Sequence, residues 1–172
     1  MNKILLPLTA VALCFTAQQA MAASISGTGN ATAKIIAPLT IAAGGTGYSS
    51  GNLNFGTMLS SSAHTVTVGT TDNRTGSNNA MLVSDSNTPK SGLFTVTNTE
   101  TNPVNGTISV DSSTTISNGT TTLNVTGLNA SPTGSTSFEN GDTEIKVGGQ
   151  LAVSQNATAG DYTGTYHVTI NY

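Results

Sequence analysis

The stretch Thr143–Ser154, TEIKVGGQLAVS, decides the fold. Ile145 and Val147 alternate with Glu144 and Lys146, and Leu151 and Val153 alternate around Ala152. Apolar and polar positions therefore alternate every two residues, the period of a half-buried strand. Gly148-Gly149 interrupts the run in one of two ways. It closes a two-residue hairpin, or it marks a bulge where one strand passes from one sheet to another. Both readings place an antiparallel β-structure here.

Outward from this stretch the same period recurs. It appears in NLNFGTML (52–59), HTVTV (64–68), AMLVS (80–84), LFTVT (93–97), GTISV (106–110) and TTLNV (121–125). Asn105-Gly106, Asn118-Gly119 and Asn140-Gly141 supply the positive φ angles of tight turns. No helical period appears after residue 22. About ten short strands with regular turns predict an all-β, immunoglobulin-like antiparallel β-sandwich.

Both ends of the exported part also alternate. In ATAKIIAPLTIA, Ala33, Ile35, Ala37, Leu39 and Ile41 share one parity, and Pro38 on the other parity suits a peripheral strand. In GTYHVTINY (164–172), Tyr166, Val168, Ile170 and Tyr172 share one parity and are expected to face the core. Ahead of them, MNKILLPLTAVALCFTAQQAMA has one basic residue, a short apolar run and an Ala-x-Ala ending. It reads as a bacterial secretory signal peptide over 1–22, too short for a membrane anchor. The expected division is a cleaved leader (1–22), an N-terminal alternating arm (23–42) and a β-sandwich domain (43–172). The product is exported to the periplasm, the cell surface or the medium, with no membrane span after cleavage.

Composition narrows the function. The chain has 172 residues, one Cys and no Trp. The cysteine is Cys14, in the leader, so the fold must hold by packing and hydrogen bonding without a disulfide. Losing Lys3 with the leader leaves four cations against eight carboxylates. That weakly acidic surface argues against nucleic acid or anionic membrane as partner.

No residue pattern calls for catalysis. His64 opens a strand in line with Val66 and Val68, where packing is the expected role, and His167 lies on the solvent parity of the last strand. Two His without Cys do not fill a structural zinc site. Glu139, Asp142 and Glu144 surround a glycine, but their spacing is not that of an EF-hand, and calcium at Asp142 and Glu144 is not expected. No nucleophile elbow or S-x-x-K motif is present. The expectation is a non-enzymatic protein with no catalytic, cofactor-binding or metal residue, and no cofactor.

Three stretches in order, NLNFGTM, EIKVGGQLAV and GDYTGTYHVTINY, resemble the bacterial exported family known as domain of unknown function 4402. More distantly the chain is similar to chaperone–usher pilins and spore-coat-like secreted subunits. That resemblance implies a pilin-like fold. It also implies a C-terminal strand marked by Gly160 and Tyr172, with Tyr172 last rather than next to last. It implies an N-terminal arm that donates Ala33, Ile35, Ala37, Leu39 and Ile41 to a neighbour, and partners that are copies of itself, related subunits or a periplasmic chaperone. Those pilins usually carry a disulfide, which this exported chain lacks. The expected function is a structural subunit of a bacterial surface fibre or coat, with β-strand donation between subunits as its expected route of assembly. The alternative is a monomeric secreted or surface β-sandwich module that binds glycan or protein through loops such as 44–51 or 131–142.

Overall fold

The computed structural model describes residues 26–45 and 51–172. The expected leader, 1–22, lies outside the described residues. The chain divides between Lys34 and Ile35. Ahead of that point, residues 26–34 are exposed and join no strand.

Among the described residues from Ile35 onward, the regular elements are antiparallel strands and one 3-10 turn, Asn79–Met81. The strands are β1 (Thr40–Ala43), β2 (His64–Val68), β3 (Arg74–Gly76), β4 (Gly92–Asn98), β5 (Val104–Val110), β6 (Ser113–Ser117), β7 (Thr122–Ser131), β8 (Gly134–Phe138), β9 (Gly141–Val153) and β10 (Val168–Asn171). The large sheet runs β1-β4-β9-β2-β3, with β7 and then β6 joined to it through β9. The small sheet runs β10-β5-β8.

β9 organises the large sheet. Its first half pairs with β4 (Gly92↔Val147 to Asn98↔Gly141) and its second half with β2 (His64↔Val153 to Val68↔Gly149). β7 pairs with residues 146–151 of β9. Val147 and Leu151 thus have a partner on each side, so β4 and β2 follow one another along one edge and β7 takes the other. Gly148-Gly149 is therefore the point of hand-over inside one strand and not a hairpin. Close approach of backbone requires glycine at 148, and side chains crowd 149. A Cβ on Gly148 would stand 2.6 Å from the Val68 carbonyl oxygen, and one on Gly149 would stand 2.9 Å from Leu128. Opposite them, the β7 ladder slips between Thr126 and Asn129, where Gly127 has φ +61°. The extra residue lies on β7, with glycine in the left-handed conformation a bulge needs.

The two sheets share one core. Val66, Val68, Val96, Ile145 and Val147 from the large sheet enclose Phe138 and Ile108 from the small one. Each such side chain contributes about 1.5–3 kcal/mol on burial. Asn98, almost wholly buried, ties the sheets through polar bonds. Its Nδ2 donates to the Phe138 carbonyl at 2.8 Å and to the Asn102 carbonyl at 3.3 Å, and its Oδ1 accepts from the Glu100 N–H at 2.8 Å.

Several sequence expectations need correction. Residues 52–59 and 80–84 form no strands; they meet through one isolated bridge, Met58↔Leu82, while a second bridge joins Asn54 to Lys90. Gly56 breaks the first run with φ +75°. Asn78 breaks the second: its side chain caps the Ala80 N–H at 3.1 Å, and local capping competes with a ladder. Asn105-Gly106 is not a turn. It lies inside β5, where a Cβ on Gly106 would stand 3.0 Å from the Phe138 ring. Three polar strands, β3, β6 and β8, were not expected, and the supposed binding loop 131–142 contains all of β8. The arm is a strand only over Thr40–Ala43, because Pro38 has no N–H to give.

Candidate functional site at the two chain ends

The expected site residues fall in two groups on two different sheets. β1 is the edge strand of the large sheet and pairs with β4 in register Thr40↔Thr97 to Ala43↔Phe94. β10 is an edge strand of the small sheet and pairs with β5, Val168↔Val110 to Asn171↔Thr107. Among the described residues, the last strand therefore does not border the arm of its own chain.

At the N-terminal end, all four residues of β1 are exposed, Ile41 at 45%. Ala33 is exposed, Ile35 is 93% exposed and Ile36 is 41% exposed. Of the five arm residues, only Ala37 and Leu39 are half-buried, with Leu39 against the core. One carboxylate holds the entry to β1: Glu100 Oε1 accepts the Ala37 N–H at 2.7 Å. Glu100 is itself placed by the Asn98 bond to its N–H and by Asn140, whose Nδ2 donates to the Glu100 carbonyl at 3.0 Å. Nothing in the sequence singled out Glu100, since a lone acid in a turn carries no pattern. Gly44 (φ +104°) and Gly45 end this edge, and the Gly44 N–H donates to the Leu93 carbonyl at 2.7 Å.

At the C-terminal end the contacts are closer and more numerous. Thr163 bridges Ser117 of β6, the Thr165 carbonyl accepts from Thr114 Oγ1 at 2.6 Å, and the Asp111 N–H donates to His167. Residues 163–171 thus follow β6 and then β5, crossing from the large sheet to the small. Gly160 has φ +148° beside Asn118. Tyr166, Val168 and Ile170 alternate with exposed neighbours, as their parity requires, but they are half-buried because β10 is an edge strand. Tyr172 does not face the core; it is 58% exposed.

Tyr166 reaches back to the large sheet. Its ring meets Phe94 of β4 edge to face, with centroids 5.9 Å apart, and its hydroxyl donates to the Gly51 carbonyl. Burial pushes its phenol pKa well above the usual value. At the kink between β5 and β6, Asp111 Oδ2 accepts the His167 N–H at 2.8 Å and contacts His167 Nδ1 at 3.0 Å. The backbone bond from His167, and then its side chain, hold the Asp111 carboxyl below its ordinary value.

The remaining groups of chemical interest are dispersed. His64 opens β2 and is buried, with Nδ1 2.9 Å from the Ser62 carbonyl. Asp142 accepts from Thr97 Oγ1 at 2.6 Å, and Glu139 accepts from Ser137 Oγ at 3.0 Å. No group of three His, Asp or Glu side chains gathers among the described residues. Buried Ser91 donates both its Oγ, at 2.7 Å, and its N–H, at 2.8 Å, to Asp72 Oδ1. A shallow hollow of about 700 Å³ lies over β5, β8 and the chain end, lined by uncharged residues such as Asn105, Ser137 and Tyr172. No helix among the described residues is long and apolar enough to cross a membrane.

The family model described as "Domain of unknown function (DUF4402)" matches residues 46–172. The chain belongs to this family. Nothing among curated proteins matches it. The three DUF4402-like stretches now have structural reasons. In NLNFGTM, Phe55 enters the core, and Asn54 Oδ1 accepts the Gly56 N–H at 2.9 Å while its Nδ2 donates to Asn87 Oδ1 at 2.7 Å. Gly56 leaves room for the Arg74 guanidinium, which donates to the Thr57 carbonyl at 3.1 Å and the Val83 carbonyl at 2.8 Å. EIKVGGQLAV is the hand-over in β9, and GDYTGTYHVTINY is the segment that crosses the sheets. These stretches of the DUF4402 domain maintain the sandwich.

Proposed function

We propose that the chain is a non-enzymatic, exported structural subunit of a bacterial surface fibre or coat, assembled by β-strand donation between copies. The observation that carries this reading is the exposed isoleucine pair Ile35-Ile36, separated by Ala37–Leu39 from an edge strand. Apolar side chains beside an edge with unpaired N–H and C=O groups are what a second chain can cover, by main-chain bonds and side-chain contact. A head-to-tail contact of this kind does not close on itself and grows into a fibre. The leader-like 1–22 segment supports export. The periplasmic chaperone stays part of the proposal, as a holder of the arm before assembly.

Size-exclusion and negative-stain imaging of the exported protein test this reading. Concentration-dependent oligomers or fibres, weakened by Ile35→Asp with Ile36→Asp, are expected. A monomer at every concentration would overturn it. The glycan-binding alternative rests on the uncharged hollow beside Tyr172, and glycan retention lost with Tyr172→Ala in a monomeric protein would favour it instead.

A further inference from the structure

Each end of the chain presents a sheet edge, but only one edge is already occupied by a segment built to leave it. We infer that the edge accepting the donated strand is that of β4, that its occupant in the assembly is Ala37–Ala43 of a second copy, and that Glu100 is the catch retaining the chain's own segment there. This rests on the strand-donation reading above.

Among the described residues, β1 pairs with β4 alone and has no strand on its other side. Its four exposed residues enclose little apolar surface, so packing contributes little to keeping it in place. What remains is a four-residue ladder and a few flanking bonds. The Ala37 N–H reaches Glu100 Oε1, and Thr95 Oγ1 donates to the Gly44 carbonyl at 2.7 Å. Gly44 and Gly45 follow directly, and glycine gives the backbone the widest choice of direction when a segment leaves its own fold.

A second copy of Ala37–Ala43 brings the same N–H and C=O groups, the same Leu39 and the same Ala37 N–H for Glu100. Exchange therefore replaces every contact by its twin, the condition under which swapping an element between identical chains costs little. The gain comes from outside the ladder: Ile35 and Ile36, exposed in the single chain, are carried toward a neighbour. β10 offers no such exchange. Its segment is fixed by Tyr166 on Phe94 and Gly51, and by the close fit of Gly164 against β6.

The test uses the full-length gene with Cys14→Ser, which removes the single native thiol. Exported Thr40→Cys subunits are mixed with exported Thr97→Cys subunits, these positions facing one another across the β1–β4 ladder. Mild oxidation and mass spectrometry of linked peptides then read which cysteines meet. A chain carrying both cysteines controls for folding by closing its internal 40–97 bond. The expected result is a 40–97 bond between chains that exceeds 40–40 and 97–97 bonds. Glu100→Ala should leave the final yield unchanged and raise the rate at which this bond forms by up to about tenfold, which corresponds to about 1.4 kcal/mol for a bond to a charged group that must break before the segment leaves.

Oligomers that form without a 40–97 bond between chains would overturn the β4 assignment and leave strand donation to another edge. Monomers alone would overturn both. A cross-linking rate indifferent to Glu100→Ala would remove Glu100 as the catch.

Discussion

The N-terminal arm and the C-terminal segment alternate equally well in sequence, yet they are fastened very differently. The C-terminal segment lies along two strands in turn, buries half of each inward side chain, and inserts a tyrosine into the opposite sheet. The N-terminal edge strand is four residues long, exposed along its length and held at its entry by one carboxylate. Alternation reports that a strand can form. How firmly a strand is held depends on what meets its flanks, and there the ends diverge.

The largest expected break in this comparison is Gly164→Ala. A Cβ at this position would stand 3.1 Å from the Ile116 Cα and far closer to the Thr115 carbonyl oxygen, which is backbone and cannot turn aside. The C-terminal segment would have to lift from β6. Overpacking of this kind costs about 3 kcal/mol or more, so a large fall in melting temperature is expected. An unchanged melting curve would mean that the segment is no more firmly held than the arm.

A smaller and more direct contrast pairs Ile170→Ala with Ile41→Ala. Both isoleucines sit in edge strands of similar length, but Ile170 packs against the core while Ile41 is 45% exposed. The cost should be about 2 kcal/mol at Ile170 and under about 0.5 kcal/mol at Ile41. Denaturant titration of the two variants reads the difference. Equal costs would show that β1 is held as tightly as β10, and would remove the ground for exchange at β4.

The sequence made some of this legible. Strands β2, β4 and β5, and both halves of β9, follow from alternating Val, Ile and Leu, because burial on one face imposes the two-residue period. β6 and β8 were hidden. STTIS and GSTSF carry hydroxyl residues on both faces, and their pairing is imposed by β7 and β5 alongside. Gly106 read as a turn because Asn-Gly is a turn signal, whereas its glycine is needed for the Phe138 ring, a contact 32 residues away that no local pattern encodes. At the chain ends, the parity of Tyr166, Val168 and Ile170 was readable, and the exposure of Tyr172 was not, since it depends on β10 ending the small sheet. Glu100, Asp111 and Arg74 act on backbone groups brought near by topology, so their roles appear only in three dimensions.

The smallest expected effect separates the ends by pH. Asp111 accepts two bonds from His167 just where the C-terminal segment crosses from β6 to β5, and these hold its carboxyl below the ordinary value of 3.8. A carboxylate lowered by folding favours the folded state while ionised. Its contribution is complete above the unfolded value of about 3.9 and is lost as pH falls through the lower, folded value. The Asp111 side chain is 40% exposed, so solvent screens the interaction and the effect is modest. Melting of the native chain and of Asp111→Ala should differ by a constant amount from pH 7 down to about 5, and the two curves should converge below about pH 4. A gap that persisted undiminished into acid would show that Asp111 acts through packing alone, and that the carboxylate does not help fasten the C-terminal segment.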